Sequence, residues 1–361
     1  MSKIINLKGK FFPVVGRALR WHFRHYLLRK DSPLMATLLL TNRCNLKCKM
    51  CNLWKDPKKN TLAPKVFKQA IDDLSLLGCA YVSFGGGEPM VVKDLFSYLS
   101  YAAARIPFVN MVTNGQQLDS RAVRELAKTK MDMVSISIDG LRETHDEIRG
   151  IPGSFEKAIG AIENLKRYAP GIGITVNTVI SPWNVDELLE LSDLIEDLGV
   201  LHKFQPIFHH PVFEGQVIQD ADWQMTAPKI ERLREIVRVL RRRKSVANSA
   251  YFLSSISTHF TSENRGRLFK ERCKSVHFYC EVREDGRLFV CTEGMGWKGG
   301  FNLFDHTLKE VYYSLDYRKT AKRLRDCKRC QKVLPICYME PRIAFPVTSF
   351  IKYTVIPSLF S

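Results

Sequence analysis

The chain has 361 residues, of which 45% are hydrophobic and 25% charged, and its formal net charge is +18. This length and composition provide for a large folded core and exclude a predominantly disordered protein. No run of about 18 apolar residues predicts a membrane-spanning helix, and the first residues lack the apolar stretch of a secretory signal, so we expect a cytoplasmic protein.

Three segments carry most of the net charge. Residues 1–33 contain eight Lys or Arg and one acid, residues 228–244 contain eight and two, and residues 318–332 contain eight and one. Local basicity of this kind is typical of a surface that meets an anion, such as lipid headgroups or nucleic acid. Solvated helix faces are the alternative interpretation.

The first basic segment predicts an amphipathic helix within residues 11–30. Its arginines fall on one helical face, and its apolar residues lie near the opposite one; they are Arg17, Arg20 and Arg24 against Val15, Leu19, Phe23, Tyr26 and Leu27. Such a helix could lie on a membrane surface or dock on the rest of the protein. The first alternative predicts a peripheral protein at the inner face of the membrane.

From residue 36 onward, short apolar runs alternate with longer amphipathic ones, which indicates repeated βα units and a parallel sheet. Asp94 and Asp119 are expected helix N-caps, and Pro64 is expected in a first helical turn. Six units favour an α/β fold, a partial (β/α)6 TIM-like barrel with ligands at the carboxyl ends of its strands. The predicted strands are 35–40, 81–84, 108–112, 133–138, 172–180 and 202–207, with helices near 64–77, 94–104, 119–129, 154–168 and 184–198, and a further basic helix near 228–243.

Three cysteines follow the first predicted strand. Cys44, Cys48 and Cys51 have the spacing C-x3-C-x2-C, so their thiols can converge on one metal centre, and thiolates are the preferred ligands of iron–sulfur clusters. A four-iron cluster would keep one iron without a protein ligand. A structural zinc site would need a fourth Cys or His nearby. Cys79 stands apart in an apolar run and is expected to be an ordinary core residue.

This spacing, in this place of a six-fold βα pattern, resembles the radical S-adenosylmethionine (SAM) superfamily. The resemblance implies a [4Fe-4S] cluster on the three cysteines, whose open iron chelates the amino and carboxylate groups of SAM. It further implies reductive cleavage of SAM to methionine and a 5′-deoxyadenosyl radical, which abstracts hydrogen from a substrate. A reductant such as flavodoxin or ferredoxin would supply the electron.

Residues after the other strands extend the resemblance. The run Gly85-Gly86-Gly87-Glu88-Pro89 is similar to the GGEP element of the family, which meets the methionine amino group. Polar residues at later strand ends suit ribose hydroxyls, which need polar partners when buried. For Arg149 a surface ion pair is an equal alternative, and no catalytic residue is assigned. The candidate SAM contacts are Gly86, Gly87, Glu88, Thr113, Asn114, Ser137, Asn177 and Arg149.

A second group of cysteines lies near the carboxyl end. The stretch from Cys280 to Cys291 predicts a hairpin with Asp285 and Gly286 at its turn. The group resembles the SPASM or shortened "twitch" extension of radical SAM enzymes, which implies one auxiliary iron–sulfur cluster. Its first-choice ligands are Cys273, Cys291, Cys327 and Cys330, with Cys280 and Cys337 able to replace two of them or to leave an iron open. The spacing of Cys327 and Cys330 also allows zinc.

The sequence thus predicts five segments and one reaction class. The segments are a basic N-terminal stretch (1–33), a barrel core (34–215), a basic helical connector (216–270), a small cysteine-rich α+β module (271–340) and an apolar tail (341–361). We expect a radical SAM enzyme of undetermined subclass, acting on a peptide or cofactor precursor or on a membrane-associated lipid or isoprenoid. The alternative is a non-catalytic iron–sulfur or zinc protein that binds nucleic acid. Such a protein would need neither the glycine turn nor an open iron. Because the sequence predicts both, nucleic acid is not expected as a partner.

Overall fold

A computed structural model describes residues 10–207, 224–261, 275–291 and 301–326. Nine strands of these residues form one sheet. The six strands predicted for the barrel are all present, each within two residues of the predicted bounds. The strands are β1 (Met35–Thr41), β2 (Tyr81–Gly86), β3 (Phe108–Thr113), β4 (Met133–Ser137), β5 (Gly173–Ile180), β6 (Leu201–Pro206), β7 (Tyr279–Val282), β8 (Arg287–Phe289) and β9 (Phe301–Asn302).

The strand order across the sheet is β6-β5-β4-β3-β2-β1-β7-β8-β9. Strands β1 to β6 are parallel to their neighbours, as βα units require, and β7 adds to the other side of β1, also in parallel. Strand β8 is antiparallel to β7 and forms with it the predicted hairpin, whose turn contains Gly286 with a φ of +77°, and β9 is antiparallel to β8. An open sheet of six parallel βα strands confirms the predicted partial barrel.

Helices alternate with these strands. Pro64 begins one of them as predicted, and the Asp119 side chain caps another by accepting from the Ala122 N–H, whereas Asp94 occupies an N-cap without such a bond. The helices are α1 (Phe11–Tyr26), α2 (Pro64–Leu77), α3 (Leu95–Ala103), α4 (Ser120–Lys128), α5 (Arg142–Arg149), α6 (Ser154–Tyr168), α7 (Leu188–Asp197), α8 (Ala227–Leu240), α9 (Ala250–His259), α10 (Ser275–Phe278), α11 (Leu308–Tyr313) and α12 (Leu315–Arg325).

The two faces of the parallel sheet differ in polarity. Alternate residues such as Leu38, Phe84 and Val109 pack outward against the helices in the larger apolar cluster, which also holds Cys79 as predicted. On the inner face, hydroxyl and amide side chains of neighbouring strands are joined by hydrogen bonds of 2.8–3.0 Å. This row, which we call the polar ladder, consists of Ser83, Asn110, Ser135 and Thr175.

Helix α1 packs across the amino-terminal end of the barrel. Val14, Ala18 and Trp21 join a second apolar cluster with the first inner residues of the strands, among them Met35 and Phe108. The predicted docking on the core is therefore present, and membrane contact remains a prediction. In the described part of the chain, no helix has both the length and the apolar character needed to cross a bilayer.

Polar contacts fix α1 in this place. Arg17 donates to the backbone oxygens of Cys79 and Arg105, which lie in the loops that lead into β2 and β3. Near the end of the helix, His25 lies 2.8 Å from one Asp31 oxygen, and His277 lies 2.9 Å from the other. Burial alone would raise the pKa of Asp31, but the two histidine hydrogen bonds outweigh it and lower the pKa to about 2. Asp31 thus links α1 to the segment before β7.

Several expectations fall outside the described residues. Cys273, Cys327, Cys330, Cys337 and the tail 341–361 are among them. The division of the chain into five segments therefore stays a prediction.

Candidate active site

The loop after β1 carries the three clustered cysteines to the carboxyl end of the barrel. Cys48 is buried, and Cys44 and Cys51 are half-buried; all three are free thiols. Local hydrogen bonds shape the loop, since the Cys51 N–H donates to the Cys48 oxygen at 3.2 Å and the Trp54 indole donates to the same oxygen at 3.3 Å. Asn42 fixes the far end of the loop, because its side-chain oxygen accepts from the Asn60 N–H at 2.8 Å.

Burial disfavours the thiolate form of these cysteines. It raises the pKa of all three, that of Cys51 to about 12, and the positive charge of Arg149 opposes the shift in each case. Three soft donors on one loop, one of them buried and two half-buried, therefore fit a positively charged metal centre, which keeps its ligands deprotonated. Three thiols match an iron–sulfur cluster with one open iron better than a structural zinc site, which takes four protein ligands.

The glycine-rich turn after β2 packs directly against the cysteine loop. The Gly87 N–H donates to the Thr41 oxygen at 2.7 Å, and the Glu88 N–H donates to the Arg43 oxygen at 2.8 Å. A Cβ on Gly86 would strike the Thr41 oxygen, and one on Gly87 would strike the Arg43 oxygen. Only glycine permits this close approach of two backbones, and Gly86 also has a φ of +120°.

Glu88 organises the next strand end. Its buried carboxylate accepts from the Thr113 hydroxyl at 2.6 Å, from the Asn114 N–H at 2.8 Å and from the Met90 N–H at 3.0 Å. Burial raises the pKa of Glu88, and these hydrogen bonds oppose the shift. The Asn114 amide in turn donates to Asn45 in the cysteine loop at 2.7 Å. Three of the predicted SAM contacts are thus bonded to one another.

Arg149 joins β4 to the cysteine loop. Its guanidinium lies 2.6 Å from the Asp139 carboxylate and 3.9 Å from the Cys48 sulfur, and both charged residues are buried. The ion pair considered from the sequence is present, but it is internal, so the alternative of a surface pair was wrong. The Gly150 that follows lies against the Lys47 backbone, where a Cβ would meet the Lys47 oxygen at 2.5 Å.

Ser137 and Asn177 are neighbours across β4 and β5, where they pair in register. The Ser135 hydroxyl is engaged in the polar ladder, whereas Ser137 stands one alternation nearer the open end. The Asn177 side-chain oxygen is buried without a hydrogen-bond partner among the described residues. An unsatisfied buried acceptor at this place is suited to a bound hydroxyl or amine.

Two features of this end were not predicted from the sequence. The ladder residue Asn110 lies in the middle of an apolar strand, and such an isolated amide was a signal that could have been used. The partner of Arg149 was missed because the short helix α5, which carries Arg149, was not predicted.

Of the candidate auxiliary ligands, Cys280 and Cys291 lie in described segments. Cys280 is fully buried in the larger apolar cluster, in register with Ala36 of β1. Cys291 follows the hairpin strand β8 and is buried in the same cluster. The structure brings neither of them to the cysteine loop.

Fold and site together point to a class: an enzyme with a group of three free thiols at the carboxyl end of an open parallel barrel. The sequence model of the Radical SAM superfamily matches residues 38–195. An AdoMet-dependent heme synthase of Methanosarcina barkeri is 30% identical over 323 residues, which cover 85% of this chain and 89% of that protein. The chain belongs to the radical SAM superfamily, and its cofactors are therefore a [4Fe-4S] cluster and SAM.

Two further likenesses are more limited. The Fe-coproporphyrin III synthase of the same organism is 33% identical, and the match covers 52% of this chain and 46% of that protein. The chain thus spans about half the length of that curated relative. The structure of SuiB from Streptococcus suis bound to its precursor peptide SuiA superposes with a TM-score of 0.62 at 17% identity, covering 88% of this chain and 74% of that one. This likeness supports the fold.

Proposed function

We propose that Cys44, Cys48 and Cys51 hold the SAM-cleaving cluster and that the enzyme abstracts hydrogen from a tetrapyrrole precursor of a cofactor. When bound, the cluster and SAM supply a 5′-deoxyadenosyl radical as the abstracting species. The residues of the chain bind and orient: Gly86 and Gly87 expose backbone groups, Glu88 holds the next strand end, and Asn177 offers a free acceptor. Family membership argues against a non-catalytic protein that binds nucleic acid.

The observation that carries the substrate class is the match to the heme synthase over nearly the full length of both chains. A peptide substrate has support from SuiB, but at that identity the likeness concerns the fold alone. A lipid or isoprenoid substrate loses one of its supports because the basic helix α1 lies at the amino-terminal end of the barrel, away from the candidate active site.

The test is an anaerobic assay of 5′-deoxyadenosine with dithionite, SAM and each substrate class. We expect wild type to release 5′-deoxyadenosine together with a changed mass of iron coproporphyrin III. The Cys44→Ala/Cys48→Ala/Cys51→Ala variant should release none. Turnover of an added peptide but of no porphyrin would overturn the substrate class, and no 5′-deoxyadenosine from fully loaded wild type would overturn the chemistry.

We further propose an auxiliary iron–sulfur cluster that uses Cys291 with Cys273, Cys327 and Cys330. Both thiols are buried in the larger apolar cluster, but Cys291 follows a hairpin strand and keeps 7% of its surface exposed, whereas Cys280 is fully buried beside the Tyr312 hydroxyl. Iron analysis should therefore show a loss in Cys291→Ala and none in Cys280→Ala. Zinc in place of iron, or an equal loss in both variants, would contradict this assignment.

An acidic reductant of the flavodoxin or ferredoxin type is proposed as the electron donor. Residues 43–59 contain six cations and the single acid Asp56. We call these exposed cations around the cysteine loop the basic rim: Arg43, Lys47, Lys49, Lys55, Lys58 and Lys59. A concentration of one charge sign beside a redox centre favours a partner of the opposite sign.

A further inference from the structure

Helix α1 exposes an apolar face that the barrel does not cover. Phe12 is 80% exposed, Leu19 52%, Phe23 53% and Tyr26 49%. Their spacings of seven, four and three residues place these side chains on one side of the helix. Leu27 and Leu28 extend the apolar surface at the helix end, with exposures of 69% and 50%. Large apolar side chains gathered in one patch mark an interaction surface, whereas scattered ones do not.

The barrel binds the opposite side of the same helix. Among the described side chains of α1, Val14, Ala18 and Trp21 are the buried apolar ones, and none of the four exposed side chains is among them. Residues predicted from the sequence as the apolar face, such as Leu19 and Phe23, are therefore left outward although the helix is docked. The helix is apolar on two sides, and one of them stays largely exposed.

Cations border this exposed face. Arg20, Arg29 and Lys30 are exposed, and Arg24 is half-buried with its guanidinium 3.0 Å from the Tyr313 hydroxyl. The acid of residues 1–33 is Asp31, which is engaged with His25 and His277. A partner of this face must accordingly offer apolar contact and negative charge together.

These charges discriminate among possible occupants. A second copy of the same face would oppose arginine to arginine, which costs free energy. The apolar residues 341–361 of the chain carry Arg342 and Lys352 and no acid, so they do not complement the face either. Nucleic acid would match the cations but not the leucines. A bilayer with anionic lipids supplies both components.

We propose that α1 binds the surface of an anionic membrane through Phe12, Leu19, Phe23 and Tyr26. The helix lies in the interface with its apolar face among the acyl chains and the exposed cations Arg20, Arg29 and Lys30 at the headgroups. Because α1 closes the amino-terminal end of the barrel, the bilayer then lies on the side opposite the cysteine loop. The candidate active site faces the aqueous phase, so the substrate is received from that side. This inference does not depend on the identity of the substrate.

The test is cosedimentation of the cluster-loaded protein with vesicles of phosphatidylcholine alone or mixed with phosphatidylglycerol. We expect wild type to bind the mixed vesicles and to be released by salt. Leu19→Ser/Phe23→Ser should weaken binding about tenfold or more, because two large apolar side chains leave the bilayer. Arg20→Gln should weaken it about fivefold, as expected for one basic residue near an anionic surface.

Leu76→Ser/Leu315→Ser is the matched control, since these leucines are 74% and 69% exposed on α2 and α12. It should bind as wild type does, and all variants should keep the wild-type melting temperature and release of 5′-deoxyadenosine in solution. Equal vesicle binding by wild type and Leu19→Ser/Phe23→Ser would overturn the proposal. So would binding of an oligonucleotide without vesicle binding, or self-association that the same variant abolishes in the absence of vesicles.

Discussion

Glu88 organises the candidate site, and hydrogen bonds to protein groups use most of the accepting capacity of its carboxylate. Its carboxylate accepts three hydrogen bonds from the ends of two strands, so its role is to hold Thr113 and Asn114 in place. In a Glu88→Gln variant, the side-chain NH2 group would face one of these three hydrogen-bond donors. That donor would lose its acceptor, and an unsatisfied buried group costs about 1–3 kcal/mol. We expect a lower melting temperature and weaker SAM binding, measured by equilibrium dialysis.

The exposed Glu125→Gln on α4 provides the comparison for Glu88. The Glu125 side chain pairs with Lys128 at the surface, so the loss of this ion pair should change stability by no more than about 0.5 kcal/mol. SAM affinity equal in both variants would contradict the organising role of Glu88.

Arg149 and Asp139 form an ion pair whose two members depend on each other. Arg149→Met would leave the Asp139 carboxylate buried without its cation, which should cost about 3–5 kcal/mol. Asp139→Asn added to Arg149→Met should recover part of that loss, since no unpaired charge would remain. Denaturant unfolding of the single and double variants measures this coupling, and a double variant as unstable as the sum of the singles would disprove it.

At the scale of elements, α1 stabilises the barrel through its buried side. Trp21 packs in the second apolar cluster and donates to the Ser32 oxygen at 2.7 Å. Trp21→Ala should lower the free energy of unfolding by about 3–5 kcal/mol, as for other large-to-small changes in a core. Phe23→Ala, on the exposed side of the same helix, should change it by no more than about 0.5 kcal/mol. Similar losses in both variants would contradict the packing of α1 through its Trp21 side.

The connection between α5 and α6 contains a pH-dependent contact. Asp146 accepts from the Gly153 and Phe155 N–H groups and from the Ser154 hydroxyl, and these bonds outweigh burial and lower its pKa. A lowered pKa means that the stabilisation is present above the unfolded value, near 3.8, and is lost as the pH falls through the folded value.

Asp146→Asn should therefore destabilise the protein by about 1 kcal/mol at pH 7, because a charged acceptor becomes neutral. The difference from wild type should shrink as the pH falls below about 4. Thermal unfolding across this range measures it, with Glu143→Gln on the same helix as control. A difference that stays constant with pH would exclude the carboxylate as its source.

The elements that sequence could predict are those with a clear period. Helix α2 has its predicted bounds because Pro64 and Gly78 mark both ends, and Gly78 has the left-handed φ of +91° that such an end favours. Helix α5 was not predicted because Ile148 is its sole apolar residue, so the sequence has no amphipathic pattern there. In α1 the amphipathic pattern was visible, but in the folded protein the side with Trp21 is buried and the side with Phe23 is exposed.

The residues of the candidate site divide in the same way, into those that a sequence pattern predicts and those that only the fold reveals. Motif residues on the cysteine loop and glycine turn could be predicted because their spacing along the chain is short. The bond from Asn114 to Asn45 joins residues that come together only when the barrel closes, and the link from Arg149 to Asp139 depends on helix α5, which was not predicted. One sequence without its fold does not show such pairs.

For the whole molecule, the basic rim predicts electrostatic control of reduction. The rate of cluster reduction by an acidic flavodoxin should fall steeply with ionic strength and should fall again in Lys47→Glu/Lys58→Glu. Reduction by dithionite should be much less affected, because a small reductant does not need a docking surface. Lys65→Glu/Lys157→Glu, on helices α2 and α6, supplies the same charge change elsewhere. Equal slowing by the two double variants would point to net charge instead of docking.

The pairing of β1 with β7 has a consequence for how the chain is made. β1 lies inside the finished sheet between β2 and β7, yet its two partners are separated by about 200 residues of chain. During synthesis β1 therefore remains an edge strand, with unpaired N–H and C=O groups, until residue 282 has left the ribosome. A polypeptide interrupted before that point carries the complete cysteine loop beside an open edge, and such fragments should aggregate unless a chaperone covers them.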